Sequence, residues 1–259
     1  MIKKVKTAYE IFTEYGSPVL AIEALDQLGL YDLKTRVLSK YGFKPCTADT
    51  ELEIVWLQPQ EVIYTRNKQF GSIPLNESAM VGEINGPWDQ LYDPLTEDRE
   101  YKSVVDKFER GYEWTETPMF KTAKRRFKEN KSYRRCSNIS DIKNRFEEIE
   151  SLYYSIKQKG LKTQLDLYEE YGESKLNHQY VMGGLLVPDE LRIAIGRNGE
   201  IIRTAHGKHR IAIANILDCK NEIPAIVQFR HEDFNDELDF KKEKLDKNHP
   251  LVDPIPGIK

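Results

Sequence analysis

Cysteine is scarce in this chain of 259 residues: Cys46, Cys136 and Cys219 are the only three, far apart and without C-x-x-C spacing. That scarcity excludes a disulfide framework and a zinc site built on thiolates, and it fits a reducing cytoplasm. Long apolar runs are missing too, since no stretch approaches the ~20 residues of a membrane-spanning helix. The opening MIKKVKTAYEIF has lysines but no apolar stretch behind them, so no secretory signal is expected. A strong excess of either charge is also lacking. The net charge of −3 excludes a general nucleic-acid coat. What remains is 39% hydrophobic and 31% charged, a soluble composition with enough Ile, Leu, Val and Tyr for a core.

The length permits one large domain or a domain with an elaborated flank. Residues 1–50 read as a helical extension. Ser17-Pro18 is a favoured N-cap and first-turn pair, an apolar stripe runs from Val19 to Leu28, and Gly29 closes it. A second short helix, Tyr31 to Lys40, stops at Gly42. Glu53 to Leu57 reads as a strand with Pro59 fixing its exit. Residues 70–135 then read as an insertion. Phe70 to Asp93 is a Gly-, Pro- and Asn-rich loop whose Met80, Val81, Trp88 and Tyr92 suggest a packed lid or substrate wall. Asp98 to Arg110 is a helix with Tyr101, Val104, Val105 and Phe108 on one face, closed by Gly111.

From Ser140, read as an N-cap, an apolar stripe of Ile142, Phe146, Ile149 and Ile156 runs to Gly160. Gln164 to Tyr171 is a strand or a short helix, followed by a Gly183-Gly184 loop. Mixed strands and helices in this order give an α+β domain over residues 51–232. Residues 233–259 read as a charged, proline-containing tail with no room for a second folded unit.

Leu191 to His231 carries the most chemistry. Arg192 to Gly196 alternates apolar and polar, Asn198-Gly199 is a strong hairpin turn, and Glu200 to Thr204 is the return strand. Then come Ala205-His206-Gly207-Lys208-His209-Arg210 and a helix from Ile211 to Leu217. A helix N-terminus offers unpaired N–H groups and a positive dipole end. With Lys208 and Arg210 beside it, this is a ready site for an anion, and phosphate fits best. Three of the five histidines, His206, His209 and His231, fall close by in sequence and are candidates for acid–base or metal work. Asp89, in an aromatic-rich loop, is a further candidate for catalysis or metal binding. Lys121 to Arg135 holds eight basic residues against Glu129 alone, interleaved with Phe127 and Tyr133, which suits a solvated helix face or contact with nucleic-acid phosphates.

Gly207-Lys208-His209-Arg210 with Ala212 and Ala214 resembles the G-x-x-R-x-x-A box of the ParB/sulfiredoxin superfamily, and Glu222 to Val227 resembles the strand that follows it. Phe146 to Gln164 is similar to that fold's earlier helix through Ser155-Ile156 and Gly160, with Thr163-Gln164 where the family usually has Gln-Pro. Glu53 to Tyr64 resembles its first strand. The resemblance implies a small mixed sheet with packed helices, in a superfamily that includes DNA-segregation CTPases, a sulfinic-acid reductase, an ADP-dependent serine kinase and proteins described as nucleases. The reductase branch has a cysteine where this chain has Lys208, so its thiol chemistry is excluded.

The kinase branch implies a phosphate loop at Gly207, His209 and Arg210 and a catalytic glutamate shortly after a proline, here Pro59 and Glu61. The leading expectation is a nucleotide-binding phosphotransferase or hydrolase. Gly207, Lys208, His209, Arg210 and His206 would hold ATP, ADP or CTP with Mg²⁺. Glu61, His209 or Asp89 would act on a small hydroxyl acceptor. Alternatives are a nucleic-acid-binding protein or nuclease using residues 121–135, and a nucleotide-sensing module without turnover. No membrane partner is expected.

Overall fold

The computed structural model describes residues 44–45, 52–66, 80–85, 87–90, 92–134, 136–171, 178–182, 185–188, 190–235, 238–245 and 253–254. The expected helices before residue 44, the loop residues 70–79 and Gly183-Gly184 lie outside them. The chain is mixed α/β. Short strands β1 (Lys44–Pro45), β2 (Leu52–Leu57), β3 (Tyr64–Arg66), β4 (Met80–Ile84) and β5 (Tyr92–Pro94) come first. Four helices follow: α1 (Arg99–Phe108), α2 (Pro118–Lys128), α3 (Ile139–Lys159) and α4 (Gln164–Tyr171). Then come β6 (His178–Met182), β7 (Leu185–Pro188), β8 (Leu191–Ile195), β9 (Ile201–Ala205), α5 (Lys208–Ile216), β10 (Ile223–His231), β11 (Lys241–Leu245) and β12 (Asp253–Pro254).

One nine-stranded sheet runs β1-β4-β10-β8-β9-β3-β5, with β2 also paired to β10 and β11 to β2. Most pairings are antiparallel, but β10 runs parallel to β8 and β4, and β3 runs parallel to β9. β12, β7 and β6 form a separate three-stranded sheet. Strand β10 is the keel. Its β-branched and aromatic run from Ile223 to Phe229 is buried throughout, as a strand covered on both faces should be.

The core joins this sheet to α1, α3 and α5. Val104, Ile142, Ile149, Ile211 and Ala212 meet Val55, Ile193 and Ala225 there. Trp114 stacks on Phe146 with ring centroids 4.3 Å apart.

Several expectations need correcting. Lys44–Pro45, inside the expected helical extension, pairs with β4 as a strand. Residues 80–84 and 92–93, assigned to the irregular loop, belong to strands of the main sheet. Trp88 is buried, as expected. The N-cap of α3 is Asn138, not Ser140; its side chain accepts from Ser140 N and Asp141 N, the bond that a cap makes. The 233–259 tail supplies β11 to the main sheet and β12 to the small one. The 192–196 alternation does not mark a half-exposed strand, because every residue of β8 is buried, Arg192 included.

The Asn198-Gly199 turn forms in a different geometry. Gly196 N bonds Glu200 O, Gly199 N bonds Gly196 O, and Gly199 sits at φ 84°. This is a three-residue loop with glycine in the left-handed position, rather than a two-residue turn.

Candidate functional site

Strand β9 delivers the chain to the loop expected to bind phosphate. His206 and Gly207 both take left-handed backbone angles, φ 56° and 68°. A Cβ at Gly207 would lie 3.0 Å from Leu191 Cδ1, so glycine is required by both backbone and space. Helix α5 starts immediately, with Gly207 as its N-cap. Ile211 to Ala214 are fully buried and fix the helix against the sheet.

The basic residues of this loop point in different directions. Lys208 Nζ turns to the N-terminus of α1, 2.8 Å from Asp98 Oδ2 and 3.0 Å from Glu100 Oε2. The other oxygen of Asp98 caps α1 through Glu100 N and Tyr101 N. The other oxygen of Glu100 accepts from the Tyr133 hydroxyl and from Arg134. Lys208 is therefore neutralised inside the protein and does not face a ligand from the loop. Burial, helped by nearby Arg203, brings its ammonium down to about 8 against the upward pull of Glu100 and Asp98.

His209 is half-buried. Its Nε2 is enclosed and has no hydrogen-bond partner among the described residues. Burial, with Arg145 adding to it, pushes the ring down to about 4, so His209 is neutral near pH 7.

Arg210 is paired with a carboxylate of the protein itself. Its Nη1 lies 2.8 Å from Glu190 Oε2, and Glu190 is buried. Glu190 Oε1 accepts from Gln164 N, the first residue of α4, at 2.5 Å. A carboxylate thus sits between an arginine and a helix N-terminus, the two kinds of group that hold phosphate. Beside it is a small cavity of about 10 Å³, room for one water, lined by Lys162, Thr163, Glu190, Gly207, Arg210 and Pro224 among others. The sequence did not mark Glu190, which lies outside any periodic pattern and just before β8. Thr163 belongs to the Thr163-Gln164 position flagged by the resemblance, and Lys162 precedes it.

The remaining candidates are elsewhere. Glu61 closes a 3-10 turn, Pro59–Glu61, where its carboxylate accepts from Gln58 N at 2.6 Å. Its neighbour Gln60 bonds Cys219 O, which places Glu61 at the exit of α5 rather than at its N-terminus. Asp89 lies at the β8–β9 turn, the opposite end of the hairpin from Gly207. It is buried and accepts from Arg197 Nε at 2.7 Å, Nη2 at 2.9 Å and backbone N at 2.9 Å.

His231 is there as well, 3.1 Å from Arg197 Nη2 and stacked on Trp88 with centroids 5.9 Å apart. The expected grouping of three histidines fails because β10 is nine residues long and carries His231 to the far end of the sheet. Arg134, near the end of the Lys121 to Arg135 basic run, is ion-paired with Glu100.

Among the described residues, no group of three His, Cys, Asp or Glu side chains is placed to hold a metal ion. No described helix is long and apolar enough to cross a membrane. Cys136 and Cys219 are free thiols. No family model, no curated protein and no solved structure matches this chain.

Proposed function

We propose that the chain binds a nucleoside phosphate at the start of α5, within a ParB/sulfiredoxin-like arrangement of the β8–β9 hairpin, α5 and β10. The single observation that carries this reading is the Glu190 carboxylate. It is buried and held jointly by Arg210 and by the first N–H of α4, so the site already stabilises an oxyanion. A ligand phosphate would take that place by displacing Glu190, with the N-terminus of α5 and Lys162, itself paired with Glu170, at its edge.

Binding without turnover, the nucleotide-sensing reading, is favoured over phosphotransfer by a second observation. Glu61 and Asp89 both lie away from the loop and are already hydrogen-bonded, and His209 has no polar partner for its buried nitrogen. Asp98 and Glu100 are both paired with Lys208. A Mg²⁺ ion arriving with a nucleotide would therefore be held by phosphate oxygens and water.

The test is thermal unfolding with ATP, ADP, CTP, GTP or AMP, each with and without Mg²⁺, on the wild type and on the Arg210→Ala/Glu190→Gln double variant. The double variant avoids leaving Glu190 buried as an unpaired charge. Stabilisation by about 2.7 kcal/mol at a hundredfold excess over Kd, abolished in the double variant, is expected. An unshifted midpoint with every nucleotide sinks the reading.

A further inference from the structure

We propose that the outer face of α2 is a nucleic-acid-binding surface that contacts backbone phosphates and does not read sequence. It is independent of the loop at Gly207. Lys121, Lys124, Arg125 and Lys128 are all exposed, and their spacing of i, i+3, i+4 and i+7 puts them in one stripe along the helix. The opposite face is apolar, with Met119 and Ala123 buried and Phe120 and Phe127 packed on the core. The helix contains no acid from Pro118 to Lys128. The single acid of the wider run, Glu129, is ion-paired with Lys131 at 2.9 Å. Among the described residues, none of the four stripe cations makes an ion pair.

Like charges at these spacings destabilise a helix. The helix dipole accounts for Arg125, Arg126 and Lys128 in the last turn, but not for Lys121 and Lys124. In a chain of net charge −3, this is a segregated patch and not a general bias. The chemistry around it selects the partner. Among the described residues the large exposed apolar side chains are Ile63, Tyr112, Ile139 and Tyr154, none of them on α2. The stripe therefore has no wedge to enter a lipid surface and no anchor of the kind that protein interfaces use. Its length, about 10 Å at 1.5 Å per residue, spans successive phosphates of one strand.

The full chain is titrated into a fluorescein-labelled DNA duplex of about 20 base pairs, followed by anisotropy from about 50 to about 200 mM KCl. Affinity is expected to fall with a log–log slope near −3.6, about 0.9 for each of four phosphate contacts. The Lys121→Ala/Lys124→Ala/Arg125→Ala/Lys128→Ala variant, checked for an unchanged unfolding midpoint, should lose at least about tenfold in affinity at the lowest salt and most of the slope.

Replacing the three lysines by arginine should preserve binding, and so should Arg210→Ala/Glu190→Gln, which separates this surface from the loop. A single Lys124→Glu replacement should weaken binding even if the quadruple variant folds poorly. Equal affinity of the quadruple variant, or binding to phosphatidylserine vesicles with none to DNA, overturns the proposal.

Discussion

The two ends of the β8–β9 hairpin use the same chemistry for different purposes. At the turn, Asp89 is buried and closed on by one residue, Arg197, through two side-chain nitrogens and its backbone N–H. Burial alone would raise the Asp89 carboxyl. The Arg197 hydrogen bonds outweigh it and hold the group below its ordinary value of 3.8. Trp88 and His231 pack around the pair. At the loop, Glu190 is equally buried, but it is shared between Arg210 on α5 and the N-terminus of α4, and it borders a cavity. One pair is a strut, and the other, on the reading proposed above, is a replaceable plug. What separates them is their neighbours, since both consist of a carboxylate and an arginine.

Breaking the strut should have the largest effect. Asp89→Ala leaves the part-buried Arg197 without its anion and should destabilise the fold by about 3 kcal/mol in urea unfolding, while nucleotide-induced stabilisation persists. Arg210→Ala should follow at about 2–3 kcal/mol, because Glu190 stays buried without its guanidinium. Adding Glu190→Gln should restore at least ~1 kcal/mol of that loss, and strictly additive effects would show that the pair is not coupled.

The loop end should also answer to pH. His209 titrates near 4 when folded and near 6.5 when unfolded, so the unfolded chain binds the extra proton first. Stability from this group is complete above pH 6.5 and declines as pH falls toward 4, by up to about 3 kcal/mol. His209→Gln should flatten that part of the pH profile of unfolding. Gly207→Ala, which meets Leu191 and forces a left-handed backbone on alanine, should cost about 1–2 kcal/mol in thermal unfolding. The smallest change in stability, under about 1 kcal/mol, is expected for Glu190→Gln alone. That variant should nonetheless bind the nucleotide several-fold more tightly; weaker binding would mean that Glu190 is no plug.

The sequence was most legible where local chemistry decides. Asp98 opened α1 and Gly160 closed α3 where the sequence placed those boundaries, Pro59 followed β2, and the hairpin, α5 and β10 came in the expected order. It was least legible where a distant partner decides. Met80 to Ile84 is a strand because β10 lies beside it, and its Gly- and Glu-containing segment carries little strand signal of its own.

The candidate site shows the same division. Gly207 and Arg210 were visible as a spacing. The partners that redirect Lys208 and occupy Arg210 were not, since Asp98, Glu100 and Glu190 come from other elements, with Asp98 110 residues from Lys208. A basic residue at a helix start calls for an anion, and here the fold supplies the anions itself. His231 was misplaced because the length of β10 could not be read from its first half.

Strand β2 carries a consequence for how the chain reaches its fold. Leu52 to Leu57 finds both of its neighbours late, β10 at residues 223–227 and β11 at 241–245. Pairings of such long sequence separation slow folding, because loop-closure entropy is lost before contacts compensate. During synthesis this buried, Ile- and Val-bearing strand must wait, unpaired, for more than half of the chain to emerge. Strand β11, Lys-Lys-Glu-Lys-Leu, is then a suitable last arrival. Among the described residues β11 pairs with β2 alone, so this lysine-bearing strand lies at one edge of the sheet, where such residues are commonly placed.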